Sequence, residues 1–336
     1  MTYLAKNYNR KKISFKYGKG SYLFSTDNKK YLDFVQGIAV NSLGHAHPKL
    51  VKTISTQAKK LWHVSNAFQI PEGEKLARKL CKKTFADYVI FQNSGAEATE
   101  AAIKVARRYF YSIGKTNKNK ILCVRNSFHG RTLAAIYASG SKKMTEGFGP
   151  KVSGFDHFVF GDHKSLKKKI TKNTAAIMVE TIMGEGGIKV IPDWCLVELR
   201  KLCNQKKILL ILDEVQCGIA RSGDFFAFEK SKVKPDIVPI AKGIGGGFPI
   251  GAVLMNKKVA AGMRKLAGDC ALGFSNPSRV PRTFFKSMIK KMAMPAKTKI
   301  SIAIAFIRRS FPKVVKTDVS SYLGEVGSQV HNLADI

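Results

Sequence analysis

Short, uninterrupted apolar runs recur along the first 263 residues, at Tyr88–Phe91, Ile121–Val124, Ala175–Val179, Ile208–Leu212 and Ile237–Ile240. They are rich in Ile, Val and Leu and lack polar alternation, which predicts strands covered on both faces. Between several of them the spacing turns helical, as in Glu97–Tyr109 and Trp194–Asn204. Strands alternating with helices predict an α/β fold: a mostly parallel central sheet with helices on both faces. No internal repeat interrupts this rhythm, and it stops near Met263.

In such sheets ligands bind beyond the carboxyl ends of the strands. The residues leaving the runs are therefore the candidates for chemistry. They are Asn93–Ser94–Gly95–Ala96, Phe128–His129–Gly130–Arg131, Glu180, Asp213–Glu214–Val215–Gln216 and Lys242–Gly243. Each exit has two readings. Gly95 lets backbone approach a ligand and the N–H groups of a helix start cradle phosphate; equally, Ser94 and Glu97 have the spacing of a capping box. Asp213 follows the most apolar run, where a carboxylate needs a partner: a protonated ring nitrogen, a metal or an Arg. Lys242 either leaves the sheet for solvent or is desolvated at the strand end, which lowers its pKa and frees an amine that attacks carbonyls.

A phosphate cradle, an acid for a ring nitrogen and a desolvated Lys are together what pyridoxal 5'-phosphate requires. Phe128 and Val215 then offer the two faces for the ring, and Arg131 a bidentate clamp for a substrate carboxylate. His45 and His47 form a His-x-His pair, read as surface or core histidines, so no metal is expected.

Composition narrows the class. At 336 residues, with 45% hydrophobic and 10% aromatic content, the chain has enough material for about two domains and a sizeable core. No apolar run reaches the roughly 18–20 residues of a membrane span. Residues 1–20 are polar, without the apolar core of a secretory signal. Cys81, Cys123, Cys195, Cys203, Cys217 and Cys270 form no CxxC pair and read as the reduced thiols of a cytoplasmic protein. The charge is the anomaly: 58 basic against 23 acidic residues give +35. That is the footprint of a nucleic-acid binder. Yet 45 of the basic residues are Lys, scattered along the chain, with Lys167–Lys169 the longest run of them. A Lys-biased solvated surface is the expectation, with a basic nucleic-acid-binding protein as the competing class.

Residues 1–263 resemble the class III (fold type I) aminotransferases, most closely the acetylornithine aminotransferase group. The motifs are Gly20–Leu23, Tyr31–Phe34, Gly37–Asn41 with Leu43–His45, Asn93–Glu100, Ser127–Thr132, Gly184–Gly187, Leu212–Gly218 and Ile240–Gly251. The resemblance implies a pyridoxal-phosphate-binding large domain at 51–263, with 1–50 as the N-terminal segment of a smaller, here incomplete, domain. It implies Lys242 as the Schiff-base lysine and proton shuttle, and Asp213 as partner of the ring nitrogen. Gly95 and Ala96, with Ser94, would lie at the phosphate, Phe128 and Val215 on the ring faces, and Gln216 near the ring hydroxyl. Arg131 would hold the substrate α-carboxylate, and Glu185 would belong to the gate that admits both an ω-amine and 2-oxoglutarate.

The implied activity is transfer of the ω-amino group of N-acetylornithine to 2-oxoglutarate, by a cytoplasmic homodimer in arginine biosynthesis. Succinyldiaminopimelate, succinylornithine, ornithine and 4-aminobutyrate aminotransferases share the motifs. Two departures stand out. Glu180–Thr181 and Met183 replace the Glu-Pro and Gln usual in the family. After Met263, the family's Ser-Thr-Phe-Gly-Gly-Asn-Pro-like segment, whose Thr reaches the neighbouring subunit's phosphate, does not follow; Gly273–Pro277 is only a faint echo. From Cys270 to Thr317 there is no acidic residue and 11 are basic. Residues 264–336 are therefore expected to be a frameshifted or recombined end rather than a diverged domain, which puts dimerisation and turnover in question.

Overall fold

The computed structural model describes residues 3–66 and 68–264. The expectations for the segment beyond Arg264 lie outside the described residues. Strands β1 (Phe15–Lys19), β2 (Tyr22–Ser25) and β3 (Lys30–Leu32) form an antiparallel meander. The one-turn α1 (Gln36–Ala39), α2 (Pro48–Ala58) and α3 (Pro71–Lys83) follow. Then come β4 (Tyr88–Gln92), α4 (Gly95–Ser112), β5 (Lys120–Val124), α5 (Leu133–Ser139), α6 (Lys142–Thr145), β6 (Phe155–Phe158) and α7 (His163–Lys169). The remainder is β7 (Thr174–Glu180), the hairpin of β8 (Ile182–Met183) and β9 (Lys189–Val190), α8 (Asp193–Lys206), β10 (Leu209–Asp213), β11 (Ile237–Ile240), β12 (Gly251–Met255) and α9 (Lys257–Arg264).

Seven strands make the central sheet in the order β4-β12-β11-β10-β7-β5-β6. Only β12 runs against its neighbours, so the five predicted strands all end at one edge. From β5 the chain moves outward to β6, then returns to β7 and proceeds the other way through β10 and β11. The reversal opens a crevice beyond the ends of β5 and β7, where open α/β sheets bind ligands. The register of β7 and β10 brings Glu180 directly opposite Asp213 at that edge.

The alternation of side chains across a strand explains why both sheet faces are apolar. Leu210, Leu212, Ile177 and Val179 face one core, with Leu196, Leu199 and Cys203 of α8. Leu209, Ile211, Ala176 and Met178 face the other, beneath α4. Helix α4 can lie close because Ala98, Ala101, Ala102 and Ala106, all buried, form its sheet-facing stripe. Helix α9 closes on α4 in turn: a side chain at Gly262 would meet Ser112 Oγ at 2.7 Å. Strands β1–β3, β6, β8, β9 and β12 are additions to the predicted set. β6 and β1–β3 are short and carry polar residues. β12 follows a glycine run that reads as loop.

The close approach of α4 makes a specific prediction. Ala102→Leu forces extra methylenes between helix and sheet, an overpacking that costs about 1–3 kcal/mol. Differential scanning calorimetry should show Tm falling by about 2–4 °C for each kcal/mol; an unchanged Tm would refute the close-packed stripe.

Candidate active site

The turn from β4 into α4 satisfies its own backbone. Ser94 Oγ accepts the Glu97 N–H at 3.2 Å and donates to Glu97 Oε2 at 3.0 Å, while Glu97 Oε2 accepts the Asn93 N–H at 2.9 Å. This is a variant of the capping box, with the Glu97 carboxylate reaching the Asn93 N–H rather than that of the N-cap Ser94. The Gly95 and Ala96 N–H groups, in the first turn, have no intrahelical acceptor. A Cβ at Gly95 would stand 2.7 Å from Val215 Cγ1 and 3.4 Å from the Ala241 Cβ, so three strand exits converge on this glycine. Gly130 (φ +134°) presses equally close, since a Cβ there would lie 3.1 Å from Ala96.

Beside this cradle lies a buried ionic cluster. His129 Nδ1 and Asp213 Oδ2 are 2.7 Å apart, with side-chain exposures of 0% and 3%. Asp213 Oδ1 accepts the Val215 N–H at 3.0 Å, and Glu180 Oε1 accepts the Phe128 N–H at 2.8 Å. The carboxylates at two adjacent strand ends thus clamp the backbones of the two residues predicted to face the ring. Burial pulls the His129 pKa down, but the bond to Asp213 and the charges of Asp213 and Glu180 outweigh it and raise it. Burial pushes Glu180 and Glu214 up to about 7. Glu214 Oε2 accepts the Ala227 N–H at 3.0 Å, tying down the loop after β10.

Lys242 leaves β11 in the left-handed region at φ +49°, uncommon for a residue with a Cβ. It is half-buried. That burial lowers its pKa, against the opposing charges of Asp213, Glu185 and Glu180, so all three carboxylates act on its amine. The following loop is braced by the N-terminal segment: Ser42 Oγ donates to Gly243 O at 3.1 Å, and a Cβ at Gly247 would stand 2.6 Å from Asn41 Oδ1.

Gln216 packs against Gly184, where its amide fills the space a side chain would need, so it adjoins the exposed Glu185 loop. Arg131 is exposed and donates from Nη1 to the Tyr8 hydroxyl, its guanidinium 5.4 Å from that ring's centroid. His45 Nε2 lies 2.7 Å from Asp33 Oδ2, and Asp33 Oδ1 caps the Val35 and Gln36 N–H groups. Sequence reasoning singled out the strand exits yet assigned no task to His129, Glu180 or Glu214. Their signal was position alone, since His129 and Asp213 are 84 residues apart in the chain.

Residues 3–280 match the family model for class-III aminotransferases. The chain belongs to the class-III aminotransferase family. Among its relatives, the acetylornithine aminotransferase of Agrobacterium fabrum is 55% identical over 254 residues, 76% of this chain and 64% of that protein. The acetylornithine aminotransferase of Aquifex aeolicus is 48% identical over 77% of this chain and 69% of that protein. The match thus spans just under two thirds of the length of the Agrobacterium protein. A crystal structure of ornithine aminotransferase from Toxoplasma gondii superposes with a TM-score of 0.74 at 32% identity, covering 77% of this chain and 62% of that one. Another structure of that enzyme is described with partial occupancy of pyridoxal phosphate at its active site.

The family works with pyridoxal 5'-phosphate, and the residues here fit that group. The Gly95 approach leaves no room for a side chain, the first turn of α4 leaves two backbone donors without an intrahelical acceptor, and the half-buried Lys242 feels the charge of the buried Asp213 carboxylate.

The raised carboxyls give the cofactor-free protein a definite pH response. A carboxyl raised in the folded chain contributes stability that is complete below its unfolded value of 4.5 and is lost as pH rises through about 7. For Glu180 that amounts to about 3 kcal/mol. The His129 contribution has the same sign, fading as pH rises through its own raised value. Glu180→Gln should therefore flatten the fall of Tm between pH 4.5 and 7.5. Parallel wild-type and variant curves would overturn the assignment.

Proposed function

We propose that this chain is a pyridoxal-phosphate-dependent ω-aminotransferase that moves the terminal amino group of N-acetylornithine to 2-oxoglutarate. The observation that carries the reading is convergence: the Gly95 cradle, the Asp213 carboxylate and the half-buried Lys242 amine meet at one crevice. The acetylornithine aminotransferase names of relatives 48–55% identical support the choice of donor. With this reading go residues 51–263 as the large domain, 1–50 as the N-terminal segment of the small one, and a place in arginine biosynthesis in the cytoplasm. Among the described residues no helix is long and apolar enough to cross a membrane.

The Gly95 and Ala96 N–H groups bind the phosphate, with Ser94 fixing the turn that presents them. Their positive helix end favours the dianion. Asp213, whose Oδ1 already accepts the Val215 N–H, would be the acid that pairs with the ring nitrogen. Phe128 and Val215 would hold the ring between them, and Gln216 would lie near its hydroxyl. When bound, the pyridinium ring supplies an electron sink for the pair left at the substrate carbon. Lys242 Nζ, partly desolvated, takes the proton from that carbon and returns it at the next position. Arg131 grips the α-carboxylate bidentately once it releases Tyr8. Glu185, on the exposed hairpin loop beside Gln216, belongs to the gate that lets one site admit both the donor and 2-oxoglutarate.

A homodimer is part of the proposal. Helix α2 buries none of its residues, and Phe34, Val51, Ile54, Leu61 and Trp62 are exposed on the same N-terminal segment. An apolar surface of this extent is one that a second subunit covers.

The test is covalent capture. Borohydride reduction of the protein loaded with pyridoxal phosphate should fix the cofactor on Lys242, read by peptide mass spectrometry. Lys242→Ala should capture none and lower kcat with N-acetylornithine by about 10²–10⁴-fold or more. Capture at another lysine, or none in the wild type, would end the proposal.

A further inference from the structure

We propose that the groove at the amino ends of β5, β7 and β10 is an anion site that takes a compact oligophosphate, a short chain of linked phosphate groups. It lies at the sheet edge opposite the crevice, so it stands or falls independently of the reading of the crevice.

Three chain reversals build the groove. The turn 115–118, after α4, closes with the Lys118 N–H on Lys115 O at 2.9 Å. The turn 171–174, after α7, closes with the Thr174 N–H on Thr171 O at 3.0 Å. Asn173 O accepts both the Asn119 and the Lys120 N–H, at 3.0 and 2.9 Å, which locks the two turns together. The third wall is the end of α8, where Lys118 Nζ donates to Lys207 O at 2.7 Å and to Lys206 O at 3.3 Å. The space between them is about 630 Å³ and opens to solvent.

Lys115, Lys118, Lys172 and Lys206 line it, and no carboxylate does. Among the described residues none of these four lysines has an ion pair. Burial lowers the pKa of Lys118, and the charges that add to the effect, those of Lys115, Lys207 and Lys258, are all positive. Lys118 commits its amine to the α8 carbonyls, whereas Lys115, Lys172 and Lys206 are exposed and turned over to solvent. Like charges gathered in this way repel unless an anion sits among them. Neutral donors accompany the cations. The Thr116 and Asn117 N–H groups, central in one turn, and the Lys172 N–H, central in the other, have no acceptor among the described residues. Unpaired main-chain N–H groups beside cations are a setting that holds phosphate oxygens. No aromatic residue lines the groove, so it offers bases no face to stack on. Charge concentrated on linked phosphates fits it better than a nucleic-acid strand does.

The test is isothermal titration calorimetry of the full chain with inorganic triphosphate at low salt. Wild type should bind one triphosphate per chain, more weakly as salt rises and screens the exposed charges. Lys115→Gln combined with Lys172→Gln, both at exposed turn positions, should weaken binding about tenfold, roughly threefold for each charge removed. Lys75→Gln combined with Lys79→Gln is the control. It removes the same charge from exposed positions on α3, which packs beside β4 at the far margin of the sheet. Its affinity should stay within about twofold of wild type, because charges beyond a Debye length are screened. Equal losses in the two double variants would show attraction to net charge alone and overturn the proposal, as would a wild type that binds none.

A second measurement is thermal denaturation. Saturating triphosphate should raise the Tm of wild type by mass action and leave that of K115Q/K172Q nearly unmoved; an unmoved wild-type Tm would overturn the proposal. Triphosphate displaced by stoichiometric pyridoxal phosphate would lie at the Gly95 cradle instead, which overturns it equally. A thymidine oligonucleotide that binds more tightly than triphosphate, and weakens in K115Q/K172Q, would make the groove part of a nucleic-acid surface and overturn the choice of a compact anion.

Discussion

A carboxylate buried at the end of a strand must be compensated where it stands, and much of this site follows from that constraint at Asp213. Parallel pairing of β7 with β10 places Glu180 beside it, so two acids share a water-poor edge. Each needs hydrogen-bond and charge partners there. The compensating groups come from three directions: imidazole from the β5 exit, main-chain N–H groups of Phe128 and Val215, and the Lys242 amine beyond β11. Each strand end is thereby tied to the next. Removing one member of a buried pair of this kind leaves an uncompensated charge, at a penalty of about 3–5 kcal/mol. The groups best placed for chemistry are therefore also those the sheet edge can least lose.

Helix α4 transmits the constraint to the other end of the site. Its Ala stripe lets the axis approach the sheet, and the same closeness brings Gly95 against Val215 and Ala241. Ser94 and Glu97 reciprocally cap the turn and so hold Gly95 and Ala96 with their N–H groups pointing outward. Capping and cradling are not rivals here. The hydroxyl secures the backbone, and the backbone presents the donors.

The five predicted strands and both predicted helices are found, with ends shifted by at most three residues. Strands β5, β7, β10 and β11 were legible because they are buried on both faces and their composition answers to that burial; β4, only partly buried, was legible from its apolar run alone. Strand β12 escaped notice because Gly251 begins it directly after a glycine-rich loop, although a Cβ at Gly251 would stand only 2.3 Å from Ser94 O. The glycine there reflects tertiary closeness that no local pattern displays. The exits of the strands were legible for the same reason as the strands: polar residues interrupt apolar runs. What position could not reveal was pairing. His129 and Asp213 meet only because the sheet order sets β5 two strands from β10. The Tyr8 contact of Arg131 likewise depends on where the N-terminal segment returns.

The charge excess gains meaning from where the few acids lie. Asp236 is buried, receiving Arg200 Nη1 at 2.7 Å, the Leu210 N–H at 2.9 Å and Asn256 Nδ2 at 2.8 Å. Asp162 caps α7, Asp33 holds His45 and the α1 turn, and Glu97 holds the cradle. Acids persist where geometry requires an acceptor, and several such sites are internal. The lysines occupy positions where water screens them and where exchange among polar residues is nearly neutral. Where they do crowd, self-repulsion becomes visible: burial, then Lys115, Lys207 and Lys258, depress the pKa of Lys118, whose amine donates to Lys206 O and Lys207 O. A composition drifting toward Lys would thus saturate the surface first and leave the buried carboxylates untouched. That is the distribution seen here, and it ties the net charge to the surface and the chemistry to the scarce acids beneath it.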